Sequence, residues 1–219
     1  MQEVLARRAA AAEAVRARLG APRSFAYGPA AIERLDVYPT SRPAAPVMVF
    51  LHGGAWRGGD ARSQAYPAEM FVQAGNVLVT DWPRDFGLPA DLVKGGLCIS
   101  GMYDLRPVRL SARSSYVKFD DRIEHELSPL RHLDRLRAPV SVAYGEHDSP
   151  EFQRQSREFA AALQGAGWLR AVLVGRGLNH FEMPETLAIR DGLLGRAALD
   201  LLQVARGLSP FPGAGAPPP

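Results

Sequence analysis

Cysteine is almost missing from this chain. Cys98 stands alone among 219 residues, so no internal disulfide can form, and no metal-ligand spacing surrounds it. It lies inside the apolar run 95–99 and reads as a packed core residue. Lysine is nearly as scarce. Lys94 and Lys118 are the only two, and arginine supplies the rest of the 26 basic side chains that face 23 acidic ones. The charges are interspersed, with no basic block and no aromatic ladder, which argues against a nucleic-acid partner. No apolar run approaches the roughly 18 residues needed to cross a bilayer, so no membrane partner is expected. The opening segment M-Q-E-V-L-A-R-R-A-A has charge but no apolar h-region, and Glu3 and Glu13 speak against a transit peptide. A cytoplasmic location is the expectation. Nothing in the pattern calls for a cofactor or a metal, and no internal repeat is present.

What remains is an ordinary globular mix, 47% hydrophobic and 22% charged, long enough for one domain with a sizeable core. Residues 2–19 have a helical pattern, with Leu5, Ala12, Val15 and Leu19 near one face and Gly20 and Pro22 ending it. Residues 32–38 alternate as a half-exposed strand, and 40–46 form a Pro-rich turn. The continuous apolar run 47–51 suits a parallel strand covered on both faces. A short helix is expected over 66–74, with Pro67 in its first turn, and 77–80 is a short apolar run of ambiguous type. Further strands are predicted at 95–100, 139–144 and 171–174, helices at 151–163 and 184–205, and loops with short helices over 105–137. Alternating strands and helices indicate a three-layer α/β domain with a mostly parallel sheet over residues 1–206. The Gly/Pro/Ala-rich tail, 207–219, has nothing to bury and is expected to be mobile.

Three stretches carry chemistry. The first is Leu51-His52-Gly53-Gly54-Ala55-Trp56, a strand end running into a loop so poor in side chains that its backbone N–H groups can face a ligand, as in an oxyanion hole. The second is Gly145-Glu146-His147-Asp148-Ser149-Pro150, just past a predicted strand, where open α/β sheets place their ligands. Asp148 there could cap the helix that follows or hold a histidine in the right tautomer. The third is Gly175-Arg176-Gly177-Leu178-Asn179-His180-Phe181, between the next strand and the last helix. An acid after one strand and a histidine after the next favour the paired role, with His180 as general base. His125 and His132 read as solvated. His147 adjoins Asp148 and could line a pocket.

With Ile99-Ser100-Gly101-Met102-Tyr103-Asp104-Leu105, the run 145–152 with Gln155-Ser156, and Asn179-His180-Phe181, these stretches resemble the arylformamidase (kynurenine formamidase)-like α/β-hydrolases, relatives of the hormone-sensitive-lipase type esterases. The resemblance implies an α/β-hydrolase fold, an oxyanion loop at Gly53, Gly54 and Ala55, a triad acid at Asp148 and a triad base at His180. It also implies pocket positions at His52 and Trp56, and a small-molecule carboxylic ester or aryl formamide as substrate. Oligomeric state is not legible.

The pattern is broken at one place. Such enzymes seat a nucleophilic serine in G-x-S-x-G, and that motif occurs nowhere in the chain. Between Gly75 and Val77 the family would have a strand, a helix, the nucleophile strand and the start of its helix, roughly 60 residues at ordinary element lengths. The spacing points to an internal deletion centred near Asn76. Asp81 lacks the small neighbours of an aspartate elbow, Ser100 reads as a wall residue, and Ser149 has no elbow. Three functions follow: a serine-hydrolase-family protein that is impaired or inactive as it stands, a non-catalytic binding protein on the same scaffold, or a hydrolase with a displaced nucleophile.

Overall fold

The computed structural model describes residues 2–31, 33–41, 47–55, 58–67 and 87–205. Helix α1, Gln2–Leu19, opens the chain. It stops where Gly20 turns to φ +82° while its N–H still reaches the Arg16 carbonyl at 2.9 Å, a left-handed exit that favours glycine. Its inward face is Val4, Arg8, Ala12 and Val15; Leu5, expected there, is 43% exposed. Ala12 packs against Ala65, Tyr66 and Tyr38.

Strands β1 (Arg23–Ala26) and β2 (Arg34–Val37) form an antiparallel ribbon, with Arg23 opposite Val37 and Ala26 opposite Arg34. The sequence pattern suggested β2 but not β1. The main sheet is parallel, in the order β3 (Gly96–Ile99), β4 (Val140–Gly145), β5 (Leu169–Gly175). The crossover from β3 to β4 contains two short helices, α2 (Arg106–Arg109) and α3 (Asp121–Glu126), and several 3₁₀ turns. Asp120 caps α3 by accepting from the Ile123 N–H at 2.7 Å. Helix α4, Pro150–Gly165, connects β4 to β5, and α5, Leu193–Ala205, closes the described chain.

β4 is buried along its whole length and sorts its side chains to two faces. Val140 and Val142 join Phe159, Ala160 and Leu163 of α4 with Tyr103 and Leu136. Ala143 joins Leu194, Ala198 and Leu202 of α5, with Met183 and Leu187. A strand with a helical layer on each side is the α/β architecture expected from its period of two. Each fully buried aliphatic side chain contributes about 1.5–3 kcal/mol, so these two clusters hold the layers together. Cys98 is half-buried against the α4-side cluster, where burial pushes its thiol up to about 12.

Two expectations are corrected. The last helix does not run from 184. Pro184 lies in a 3₁₀ helix, Met183–Ala188, and Ile189 is extended before α5 begins. The chain doubles back so tightly that a Cβ on Gly195 would sit 1.9 Å from the Ile189 carbonyl oxygen. The run 47–51 is not a buried parallel strand either. Val47 makes an isolated bridge and 48–51 are irregular. Met48 and Phe50 pack against the α5-side core, while Val47, Val49 and Leu51 are exposed. One face of this run has found a core, and β3 takes β4 as its sheet neighbour. The expected helix over 66–74 from residue 68 onward, the run 77–80, Asn76, Asp81 and the tail from 206 lie outside the described residues.

Candidate active site

Asp148 and His180 arrive at the same end of the sheet because β4 and β5 are parallel neighbours. Their loops are stitched together by backbone: Glu146 N–H donates to the Gly175 carbonyl and His147 N–H to the Leu178 carbonyl, both at 2.9 Å. The approach leaves no room at Gly145, where a Cβ would meet the Leu178 carbonyl oxygen at 2.5 Å. Exposed Glu146 adds a side-chain clasp, accepting from the Gly177 N–H and from Arg176, each at 2.8 Å. These two donors hold its carboxyl below the usual carboxylate range.

Asp148 is buried, 5% exposed. The cap of α4 is Ser149, whose Oγ accepts from the Phe152 N–H at 3.4 Å, so Asp148 is not spent on capping. One carboxylate oxygen, Oδ2, accepts from the Ser100 hydroxyl at 2.6 Å and from the Gly145 N–H at 3.1 Å. The other, Oδ1, is buried without a hydrogen-bond partner. Ser100 follows β3 at φ +46° and is itself 4% exposed. A non-glycine residue in that region costs about 1–3 kcal/mol and persists only where its surroundings fix it. Here the Ser100 N–H donates to the Ala143 carbonyl at 2.8 Å while its hydroxyl holds Asp148.

His180 is half-buried. Its ring stacks on Phe152 with centroids 4.2 Å apart and meets Phe181 edge-on at 5.3 Å. Asn179 shapes the loop. Its Oδ1 accepts from the Phe181 N–H at 2.9 Å and the Glu182 N–H at 3.2 Å, and Glu182 Oε2 accepts from the Asn179 N–H at 3.0 Å. This is a reciprocal capping-box pattern on the turn 180–182, which leads into the 3₁₀ helix. Burial holds the imidazole below its ordinary pKa; the Asp148 carboxylate opposes that, while the guanidinium charges of Arg8 and Arg113 add to it. No hydrogen bond joins Asp148 to His180. Nδ1 of His180, like Oδ1 of Asp148, is buried and unpartnered. The acid is anchored to Ser100 and Gly145 instead of to the ring.

The loop 52–55 is exposed. Gly54 has φ +143° and Ala55 +52°, and a Cβ on Gly54 would overlap the Gly58 carbonyl oxygen at 1.7 Å. The Gly58 N–H donates to the Gly54 carbonyl at 3.1 Å, and His52 Nδ1 lies 2.7 Å from the Gly53 carbonyl oxygen. Gly53, Gly54 and Ala55 thus form a tight glycine turn. Trp56 lies outside the described residues. His147 is exposed, and His125 and His132 pack edge-to-face at 5.2 Å in the crossover from β3 to β4. Among the described residues no group of His, Cys, Asp or Glu could hold a metal ion, and no helix is long and apolar enough to cross a membrane.

The sequence pattern located Asp148 and His180 but missed the tether at Ser100. Its signal was weak: a serine directly after a strand, with no spacing rule to tie it to a residue 48 positions on.

No protein-family profile matches the chain. Kynurenine formamidase of Danio rerio is 25% identical over 236 positions, covering 80% of each chain, and that of Salmo salar is 24% identical over 237 positions with the same coverage. The crystal structure of a candidate thioesterase from Silicibacter sp. tm1040 superposes with a TM-score of 0.75 at 20% identity, covering 91% of this chain and 94% of the other. The fold is α/β, shared with that candidate thioesterase, and by sequence the chain is similar to the kynurenine formamidases over four-fifths of its length.

Proposed function

We propose that the chain is built on the scaffold of a serine hydrolase for carboxylic esters or N-formyl aryl amides, and that it lacks the segment carrying the nucleophile. The observation that carries the first half is the placement of His180. Its ring is fixed on Phe152 at the end of β5, beside a buried carboxylate at the end of β4. The sequence relatives, both kynurenine formamidases by name, point to the same substrate class of small molecules.

Support for the second half comes from length. An alignment of 236 positions is longer than this chain, and only four-fifths of 219 residues take part in it. Roughly 175 residues are therefore spread over 236 positions, leaving about 60 positions of the relative opposite gaps. That is the length of the strand, helix, strand and elbow missing near Asn76 at ordinary element sizes. The irregular run 47–51, with three of its five apolar side chains exposed, is what a strand becomes when its sheet partner is gone.

In the complete enzyme His180 would take the proton of a serine hydroxyl as it attacks the carbonyl carbon. It would then return that proton to the leaving alcohol or amine. Asp148 would stabilise the imidazolium, and the N–H groups of Gly53, Gly54 and Ala55 would receive the developing oxyanion. His52 and Trp56 would line the pocket. In this chain the pair can only activate water. A non-catalytic binding protein is the alternative, favoured by the missing nucleophile alone.

A fluorophosphonate probe with mass-spectrometric mapping tests the reading. The chain should remain unlabelled at every serine, and a version carrying the relative's segment between Gly75 and Val77 should be labelled at the inserted serine. Stoichiometric labelling of the chain itself at Ser100 or Ser149 would overturn it.

A further inference from the structure

Helix α1 reaches the His180 loop with two consecutive arginines. A helix turns about 100° per residue, so neighbours on it face different ways. Arg7 is exposed and pairs bidentately with Glu185, Nε to Oε1 at 3.2 Å and Nη2 to Oε2 at 2.8 Å. Arg8 points inward and is only 8% exposed. Its Nη2 donates to the backbone carbonyl of Phe181, the residue after His180, and its guanidinium lies 5.6 Å from the centre of the Tyr66 ring. Arg8 Nε and Tyr66 Oη are both buried without a hydrogen-bond partner. A charge buried beside unpaired polar atoms is costly for stability, and a surface helix of this kind has cheaper residues for an inward position. The cost is explained if the guanidinium is needed where it lies.

We propose that Arg8 is a positioning residue for His180: from α1 it grips the Phe181 carbonyl and so fixes the imidazole against Phe152. This rests on the reading of His180 as the general base. Three charged groups act on that ring, one from each neighbouring element. Asp148 after β4 favours the imidazolium, whereas Arg8 on α1 and Arg113 in the 3₁₀ helix Ala112–Ser115 disfavour it. Burial is the main cause that favours the neutral, proton-accepting ring, and the Arg8 charge adds to it. Arg7 serves as an internal control, since it ties the same helix to the same region through an exposed pair worth little.

The experiment needs no turnover. The His180 ring signal is followed by ¹H–¹³C NMR across pH, assigned with His180→Gln, in the chain and in Arg8→Met, Arg8→Lys and Arg7→Gln. Arg8→Met should raise the titration midpoint and move the ring proton toward its random-coil shift, as stacking on Phe152 loosens. Arg8→Lys keeps the charge, so its midpoint should stay low while the shift moves. Arg7→Gln should change neither. If Arg8→Met unfolds, the divergence of shift and midpoint in Arg8→Lys still decides. Wild-type shift and midpoint in both Arg8 variants would overturn the proposal. Failure of the hydrolase reading would show separately, as absent turnover in a segment-restored enzyme whose His180 signal responds as described.

Discussion

Ser100 Oγ lies 2.6 Å from Asp148 Oδ2, and that bond ties the end of β3 to the loop after β4. It is a charge-assisted bond between two side chains each about 95% buried, the kind that contributes roughly 1.5–3 kcal/mol. It also explains why a serine tolerates φ +46° there.

Ser100→Ala should therefore destabilise the protein by about 2–3 kcal/mol, because it leaves a buried carboxylate short of a donor while keeping the unfavourable backbone. Ser100→Gly removes the same hydroxyl but relieves the left-handed conformation, by roughly 1 kcal/mol. Urea titration should rank wild type above Gly and Gly above Ala. Ala equal to wild type would mean that the bond contributes nothing.

The pH dependence of stability follows from His180. Burial lowers its folded-state pKa below the unfolded value of about 6.5. The folded protein thus binds fewer protons than the unfolded chain at this site. The contribution is fully present above the unfolded value and is lost as pH falls through the folded one. Denaturant midpoints measured from pH 7.5 downward should drop with a component absent from His180→Gln. Parallel curves for the two proteins would contradict it.

The loop carrying His180 depends on the capping box of Asn179 and Glu182. Asn179→Ala should cost about 1 kcal/mol of stability and let the ring leave Phe152. Faster diethyl pyrocarbonate modification of His180, with other histidines unchanged, is the expected readout. Asn179→Asp retains an acceptor and should behave nearly as wild type.

The parts of the fold most legible in the sequence are those governed by local pattern. β4 alternates Val140, Val142 against Ser141, Ala143 because both its faces are covered, and α4 and α5 have apolar faces that match. Positions of Asp148 and His180 followed from strand ends. β1 was missed because Arg23–Ala26 is exposed throughout and its alternation marks no core. The run 47–51 was misread for the opposite reason. Its apolar density says strand, but a strand also needs a sheet neighbour for its backbone groups, and apolar density along the chain says nothing of that neighbour. Ser100 and Arg8 act through contacts 48 and 173 positions away, which no window along the chain can see. The break in the last helix at Ile189 was hidden by helix-forming residues on both sides of it.

The central proposal is that Asp148 and His180 belong to a hydrolase site whose nucleophile segment this chain lacks. Steady-state turnover of a p-nitrophenyl ester and an N-formyl arylamine, by the chain and by the version restored between Gly75 and Val77, measures it most directly. Loss of the nucleophile from a triad enzyme costs on the order of 10⁶ in kcat, and the elbow also supplies an oxyanion donor worth about 3–4 kcal/mol. The restored enzyme should exceed the chain by at least about 10⁴-fold, and His180→Ala should abolish the gain. Equal and fast turnover in both, lost on His180→Ala, would show that the chain already contains a working nucleophile and would contradict the account.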